Sequence, residues 1–171
     1  MVEIAGVSRT VVTKEEFRTA MADFATGVTV ITTNDHQGQP HAMTANSFTS
    51  VCLDPPVVLI CVAHSTNTYQ ILAETGSFGV NILGQDQEEV GAYFAKRPED
   101  RKGGVDCSFS QGEDGLPVLD DSMVYMGCQI IGSHVYGDHT IYLGEVKEIR
   151  KSEMETPLLF FKSRWYDPSA G

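Results

Sequence analysis

The chain has 171 residues, of which 42% are hydrophobic and 20% are charged, a composition typical of one ordinary globular domain. Its formal net charge of −11 and its scattered Lys and Arg residues argue against nucleic-acid binding, because both would disfavour contact with a phosphate backbone. No apolar run approaches the roughly 20 residues that span a bilayer, and residues 1–10 lack the pattern of a secretion signal, so we expect a cytoplasmic protein without a membrane partner.

The first predicted element is an N-terminal helix. The segment Thr13-Lys14-Glu15-Glu16 has the Ser/Thr-x-x-Glu form of a capping box, which satisfies backbone donors at a helix start. Apolar side chains follow at helical spacing; they are Phe17, Ala20, Met21 and Phe24. The sequence therefore predicts an amphipathic helix that ends before Gly27.

Four β-strands are predicted after this helix. Residues 28–33 are almost all β-branched, and the polar turn at residues 34–38 predicts a hairpin that returns over residues 41–45. Two further strands are predicted at residues 48–53 and 57–62, because Asp54-Pro55-Pro56 between them breaks the pairing.

Helices and strands alternate in the middle of the chain. Thr66 can cap a helix that ends near Gly76, where glycine is the usual left-handed terminator. A strand is predicted at residues 78–83, and a second such helix opens at Asp86 and runs through Phe94.

The C-terminal half is predicted to contain a long excursion and then strands. Residues 96–115 are polar and contain glycine, which indicates a functional loop or lid. Residues 123–133 and 140–149 are expected to pair as antiparallel strands, and residues 158–161 form a last strand. About eight strands and three helices result.

This order of elements favours a β-barrel. Strands joined by hairpins, with helices appended rather than alternating regularly, argue for a closed or partly open barrel over a doubly wound sheet. The glycine-rich segments neither follow a strand nor open a helix, so no Rossmann fingerprint is present. We expect a single domain over residues 1–171, with its core at about residues 13–166.

The four cysteines predict neither a metal centre nor disulfides. No C-x-x-C pair occurs, and the histidines show no spacing that would gather them with the cysteines around zinc. Without a secretion signal, buried reduced thiols are the simpler expectation for Cys52, Cys61, Cys107 and Cys128.

Two polar segments indicate a pocket for a flat phosphorylated ligand. Residues 42–48 carry small side chains that let a ring lie against the backbone, together with hydroxyl and amide groups that can bond a heteroaromatic edge. Residues 64–68 place hydroxyls and free N–H groups at a predicted helix start, where an anion is stabilised.

Five segments, taken in order, resemble the short-chain flavin reductase family, the reductase components of two-component flavin-dependent monooxygenases. The segments are Gly27-Val28-Thr29-Val30-Ile31-Thr32-Thr33, Met43-Thr44-Ala45-Asn46-Ser47-Phe48, Asp54-Pro55-Pro56, Phe78-Gly79-Val80-Asn81 and Gly137-Asp138-His139. The resemblance implies a mainly β fold with appended helices: a homodimeric, FMN-binding split β-barrel of antiparallel Greek-key type. It also implies hydride transfer from NADH or NADPH to FMN or FAD, and a partner monooxygenase that receives the reduced flavin.

The resemblance also implies residue roles. Contacts to the flavin ring and its ribityl tail fall on Met43, Thr44, Ala45, Asn46, Ser47 and, more weakly, Ser50; contacts to its phosphate fall on Ser65, Asn67 and Thr68; Phe94 packs at the flavin. The nicotinamide substrate is expected at His139, Phe161 and Trp165. The structural alternatives are strand and turn residues for the first group, helix capping for the second, core packing for the aromatic side chains, and a structural histidine at a strand start for His139.

The sequence departs from the family pattern at three places and leaves the choice of cofactors undecided. Ala42 stands where members often carry Gly, and one methyl group there could shift the ring site. Residues 100–103 lack an aromatic residue that relatives often have, and His64 replaces a frequent Lys or Arg. The motifs separate neither FMN from FAD nor NADH from NADPH. A flavin carrier or sensor, and an enzyme whose retained flavin acts on an organic substrate, are the alternative functions.

Overall fold

The structure is a computed structural model that describes residues 11–166. Its helices are α1 (Lys14–Ala22), α2 (Asn67–Thr75) and α3 (Glu88–Phe94), with 3-10 turns at Gln85–Gln87 and Pro98–Asp100. Its strands are β1 (Thr26–Gly27), β2 (Thr29–Asn34), β3 (Pro40–Ala45), β4 (Phe48–Leu53), β5 (Pro56–Ala63), β6 (Ser77–Ile82), β7 (Phe109–Gln111), β8 (Pro117–Leu119), β9 (Val124–Tyr136), β10 (His139–Lys151), β11 (Leu159–Phe161) and β12 (Arg164–Tyr166). Within this part of the chain, no helix has the length and apolar character needed to cross a membrane.

One large antiparallel sheet dominates the fold. Its seven strands run in the order β3-β2-β6-β9-β10-β5-β4. A small sheet, β1-β11-β12, and the pair β7-β8 complete the strand pairings of the described residues. The mainly β class with a few helices is therefore as predicted. The two edge strands, β3 and β4, are consecutive in the chain, so the opening in the sheet lies beside the link between them.

Four of the twelve strands in the described residues were not predicted. They are β1, β7, β8 and β12, and each has only two or three residues, too few to show a period in the sequence. The pair β7-β8 begins inside the segment 96–115, so the prediction of an irregular excursion there was wrong in part. The hairpin of β9 and β10 is also longer than predicted, because a tight turn at Gly137, with a φ of 59°, closes it directly.

Helix α1 forms as predicted but does not bury its apolar face within the protomer. The Thr13 side chain accepts a hydrogen bond from the Glu16 backbone N–H, and the Glu16 carboxylate bonds the Thr13 backbone in return, which completes the capping box. Phe17 is nevertheless 62% exposed and Met21 50% exposed, and Phe24, which was expected in the helix, lies beyond its end. An apolar face of this kind is left open for another surface.

Two hydrophobic clusters hold the sheet and helices together. One lies around Ile31, Phe78 and Val80 and packs β2, β6 and β9 with β5 and α2. The second joins β2 and β3 to α3 and to Leu158 before β11. The Ala42 side chain belongs to this second cluster and is 2% exposed, so its methyl group packs in the core rather than tightening a ring site.

We expect Gly79→Ala to destabilise the protein by about 2 kcal/mol, because the new methyl group overpacks the core. Its Cβ would lie 2.8 Å from the Tyr125 ring and 3.3 Å from the Pro117 carbonyl oxygen. Gly104→Ala is the matched control, since a Cβ there meets nothing within 4 Å. Urea unfolding of both variants checks this, and equal midpoints would contradict it.

The cysteines are only partly as expected. All four are free thiols, but Cys52 is exposed, because β4 is an edge strand whose residues after Phe48 are open to solvent in the protomer. Cys61 and Cys107 are partly buried and Cys128 is buried. Burial raises the pKa of the Cys128 thiol to about 12, so this side chain is a neutral core group.

Candidate functional site

Three adjoining clefts lie along β3 and the residue that follows it, Asn46. The first, of about 270 Å³, lies between β3 and the beginning of α2, and residues 94–99 and Arg101 form its opposite wall. The second, of about 290 Å³, shares Thr44 and Ala95 with the first. The third, of about 340 Å³, shares Asn46 with the second. Together they make one groove that passes from α2 to the loop after α1.

The second cleft is lined mostly by apolar side chains. Its remaining wall residues are Val28, Ala45, Phe160 and Trp165. The two aromatic rings meet edge to face with centroids 5.2 Å apart, which is a preferred aromatic geometry. The small sheet brings them here, because Phe160 on β11 pairs with Trp165 on β12.

Helix α3 joins the two walls of the second cleft at Gly91. The Thr44 hydroxyl donates a 2.7 Å hydrogen bond to the Gly91 carbonyl oxygen. A Cβ at Gly91 would lie 3.3 Å from the Trp165 ring, so the absent side chain allows the indole to approach the helix closely. Thr44 therefore fixes β3 against α3, and its hydroxyl is engaged before any ligand binds.

The third cleft holds an unpartnered polar group. Residues 24–27 and Asn46 line it together with Thr29, Phe48 and Ile82. The Thr26 hydroxyl oxygen is buried and has no hydrogen-bond partner among the described residues. Buried polar groups normally have partners, and this one belongs to a residue that lines the cleft.

The beginning of α2 closes one end of the groove. Thr66 caps the helix: its hydroxyl accepts a hydrogen bond from the Tyr69 N–H and donates one to the Ala63 carbonyl oxygen. Ser65, Asn67 and Thr68 line the first cleft at this point. The first N–H groups of a helix have no intrahelical acceptor, so this end attracts anions.

His64 does not line the first cleft. Its Nε2 lies 2.9 Å from the Thr140 hydroxyl oxygen, and its ring lies against Tyr69 with centroids 4.5 Å apart. This histidine therefore joins the start of α2 to β10. The structure favours a structural role over a weak cation for a phosphate.

Arg101 forms the opposite wall of the first cleft. Its guanidinium donates to the backbone carbonyl oxygens of Ala42 (2.9 Å), Phe94 (3.4 Å) and Lys96 (3.1 Å). It also stacks over the Phe94 ring at 5.1 Å and the Tyr93 ring at 5.6 Å. Burial lowers the pKa of Arg101, but an arginine remains charged at any physiological pH.

The first cleft gathers positive charge in a strongly acidic chain. Lys96 and Arg97 are exposed on its wall and make no ion pair within residues 11–166, and Arg101 adds a third cation. Glu99 is the only carboxylate among the residues that line the cleft. The groove thus has a cationic end beside an apolar end, although the net charge of the chain is −11.

The structure brings together nine of the thirteen residues predicted for the site. The clefts are lined by Met43, Thr44, Ala45, Asn46, Ser65, Asn67, Thr68, Phe94 and Trp165. Ser47, Ser50, Phe161 and His139 do not line these three clefts in the protomer. The Ser47 hydroxyl donates to the Cys61 carbonyl oxygen, and Ser50 lies exposed on β4.

His139 stands at the β9-β10 turn. Its Nδ1 lies 2.7 Å from the Asp138 carboxylate, and its side chain is 48% exposed. The Asp138 carbonyl oxygen accepts a hydrogen bond from the His64 N–H, so the turn lies beside the start of α2. The role of His139 toward a nicotinamide stays a prediction.

Several residues of the groove were not singled out by sequence reasoning. Arg101 was only part of a segment that departs from the family pattern, and its contacts depend on how the loop after α3 folds back onto β3. His41 and Thr26 carry no sequence signal for a site. Lys96 and Arg97 could have been noticed as an adjacent pair of cations directly after a predicted helix.

The chain matches a known protein family over most of its length. Residues 21–169 match the family model described as the flavin reductase like domain. An NADH-dependent flavin reductase from a Rhodococcus species is 37% identical over 163 residues, which cover 94% of this chain and 90% of that protein. The chain also matches a probable flavin reductase of Rhizobium meliloti with 42% identity over 135 residues, 79% of this chain, but these are only 43% of that relative.

A solved structure shows the same arrangement of elements. The styrene monooxygenase flavin reductase from Pseudomonas putida superposes with a TM-score of 0.81 and is 37% identical. The match covers 88% of this chain and 96% of that one. The chain therefore belongs to the flavin reductase like domain family and is an NAD(P)H:flavin oxidoreductase.

Proposed function

We propose that this protein reduces FMN or FAD with a hydride from nicotinamide C4 and releases the reduced flavin to a partner monooxygenase. The observation that carries the proposal is the groove itself, in which an apolar cleft walled by aromatic side chains adjoins a cationic cleft at a helix start. A flavin has the same two parts, a planar ring and a phosphorylated tail.

The apolar end fits the flavin ring. Val28 and Ala45 offer small surfaces, and Phe160 and Trp165 offer aromatic ones. The ring also has polar edge atoms, and the exposed Asn46 amide, which lines both the second and the third cleft, can bond them. A polar side chain beside an apolar slot is what a ring with polar edges requires.

The cationic end fits the flavin phosphate. Ser65 and Asn67 present polar groups at the start of α2, and the helix dipole there favours negative charge. Lys96 and Arg97 face them across the cleft. Local charge of this kind is needed to hold an anion in a chain whose net charge is −11.

The chemistry proposed for this chain is one of alignment. The bound flavin supplies the hydride acceptor, and the hydride passes directly between the two substrates without an acid or base from the protein. The protein residues hold the ring against β3, exclude water through the aromatic wall and fix the approach of the nicotinamide. For the nicotinamide substrate we propose Trp165, with Phe161 and His139 nearby in the assembled enzyme.

We further propose that two copies of the single domain assemble as a homodimeric split barrel. The sheet is open between β3 and β4, and the residues beside this opening are apolar and exposed in the protomer. Phe17 belongs to α1, Phe24 follows the end of this helix, and Leu53 of β4 is 91% exposed. A second copy would cover these side chains, which a solvated monomer rarely exposes together.

The variant Phe17→Asp tests this assembly. Because a carboxylate cannot be buried in an apolar interface without a partner, we expect the variant to be monomeric at concentrations where the wild type is dimeric. Light scattering measures the mass. Thr19→Asp, at an exposed position of the same helix, is the control for one added negative charge, and a dimeric Phe17→Asp variant would contradict the proposal.

Steady-state assays test the proposed activity and the choice of substrates. NADH and NADPH are each combined with FMN and FAD in large excess over the enzyme. We expect many turnovers with at least one pair, and free reduced flavin that an added flavin-dependent monooxygenase can use. If the protein kept its flavin through purification and oxidised NADH or NADPH only when an organic substrate was present, the proposal of flavin release would be wrong.

A further inference from the structure

One hydrogen-bonded pair in the first cleft joins β3 to the proposed phosphate site. His41 Nε2 lies 2.9 Å from the Thr68 hydroxyl oxygen, and both residues line the cleft. Thr68 is 1% exposed and lies in the first turn of α2. A hydroxyl as buried as this one has few partners to choose from, so the imidazole decides which way its proton points.

The direction of this hydrogen bond determines what Thr68 can offer a ligand. If the imidazole nitrogen accepts, the only proton of the hydroxyl is engaged and the cleft meets oxygen lone pairs. If the nitrogen carries a proton and donates, the hydroxyl proton is free to point into the cleft. The oxygens of a phosphate dianion can only accept, so the dianion binds well only to the second arrangement.

We propose that His41 is a positioning residue for the flavin phosphate, since its ring Nε2–H directs the Thr68 hydroxyl proton into the first cleft. The inference rests on the proposed function, because it assumes that the phosphorylated tail lies at the start of α2. It adds a source of selectivity. Phosphorylated flavins gain from the His41–Thr68 pair, and riboflavin, which has no phosphate, does not.

The surrounding charges make this pair sensitive to pH. Burial lowers the pKa of His41, the Arg101 charge lowers it further, and Asp35 opposes both. Lys96 and Arg97 on the far wall act in the same direction as Arg101, and Glu99 acts against them. The Thr33 and Thr68 side chains that meet it from β2 and α2 carry no charge. His41 is therefore neutral in the free protein at pH 7.

A bound phosphate opposes the lowering of the His41 pKa. The anion favours the imidazolium, which must donate from Nε2, so phosphate binding and protonation of His41 strengthen each other. The affinity for a flavin phosphate should then rise as the pH falls through the pKa of His41 in the complex. A phosphate monoester itself gains a proton near pH ~6, which weakens binding in every variant alike.

Binding titrations of FMN and riboflavin with three variants test the inference. In His41→Leu, no imidazole orients the Thr68 hydroxyl proton. We therefore expect the Kd for FMN to rise about tenfold at pH 8, with the Kd for riboflavin unchanged. In His41→Gln, a side-chain amide can still donate to Thr68 but cannot titrate. We expect FMN affinity within about threefold of the wild type at pH 8.

The pH series isolates the titration of His41. Between pH 8 and pH 6 the wild type should gain FMN affinity relative to His41→Gln, because the titration of FMN itself cancels in this comparison. A third variant, Thr68→Val, should lose FMN affinity to the same degree as His41→Leu, and the double variant should lose no more than either alone, since both remove one interaction.

Three outcomes would overturn the inference. Riboflavin binding that weakens as much as FMN binding in His41→Leu would show that His41 only supports the fold of the cleft. Additive losses in the double variant would separate His41 from Thr68, and parallel pH profiles for wild type and His41→Gln would remove the coupling to protonation. If the wild type bound neither flavin, the proposed function itself would fail, and the inference with it.

Discussion

Arg101→Ala is expected to lower kcat/KM for flavin about 100-fold, which corresponds to about 2.7 kcal/mol. Within residues 11–166, the guanidinium is the one side-chain group that hydrogen-bonds the loop after α3 to β3, through the Ala42 carbonyl oxygen on one side and those of Phe94 and Lys96 on the other. Hydrogen bonds from a charged donor contribute about 1.5 to 3 kcal/mol each, and here they fix a wall of the groove. Without them, Lys96 and Arg97 lose their position opposite α2.

The expected loss of kcat/KM depends on the shape of the Arg101 side chain as well as on its charge. Arg101→Lys keeps the charge but has no planar fork with which to reach carbonyl groups of two elements, so we expect it to recover only about a tenth of the wild-type value. Lys102→Ala removes a neighbouring exposed cation that lines none of the three clefts and should leave kcat/KM within about twofold. The variants are compared by steady-state kinetics with flavin as the varied substrate. Equal losses in Arg101→Ala and Lys102→Ala would contradict the role given to Arg101.

Asn81→Leu is expected to reduce the free energy of unfolding by about 4 kcal/mol. Asn81 is fully buried on β6, and its amide donates to the Val30 carbonyl oxygen at 3.0 Å and to the Thr32 hydroxyl at 3.1 Å. Its side-chain oxygen accepts a 2.9 Å hydrogen bond from the Leu119 N–H. Leucine fills a similar volume but satisfies none of these groups, so backbone donors and acceptors stay buried without partners.

Urea unfolding followed by circular dichroism measures this loss. Asn34→Leu is a matched control, because Asn34 makes one such bond, to the Gly115 carbonyl oxygen at 2.9 Å, at the partly exposed end of β2. We expect the control to cost about 1 kcal/mol. The account of Asn81 as the polar link between β2, β6 and β8 would be contradicted if the two substitutions had equal costs.

The elements with complete local signals were predicted well. Helix α2 begins after the cap at Thr66 and ends at Gly76, whose φ of 70° is the left-handed conformation that glycine favours. The β-branched run at β2 and the capping box of α1 likewise depend on neighbours in the sequence. Signals of this kind lie in a few consecutive residues, so they can be found in a single sequence.

Elements that depend on distant partners were missed. Strand β12 has three residues and exists because Trp165 pairs with Phe160 on β11. Phe160 in turn pairs with Thr26, which is near the other end of the sequence. The surface that covers α1 could not be predicted for a related reason. Its apolar spacing was recognised, but the surface that would cover Phe17 is not in the protomer.

The site residues likewise fall into those with a local sequence pattern and those without one. Residues 43–46 and 65–68 are short contiguous motifs, and the resemblance to a family led to them directly. Arg101 reaches Ala42 across 59 positions of sequence, and His41 reaches Thr68 across 27. Neither contact has a pattern in the sequence, because each is produced by the packing of α2 and the loop after α3 against β3.

The most direct test of the central claim is the number of flavin molecules that one enzyme molecule reduces without oxygen. The purified protein is mixed anaerobically with NADH or NADPH and with FMN or FAD at about 100 times the enzyme concentration, and flavin absorbance is followed. Our account predicts that all of the flavin is reduced with the preferred pair, in many turnovers per active site. Reduction of no more than one equivalent would contradict it, because the groove would then hold its flavin rather than exchange it.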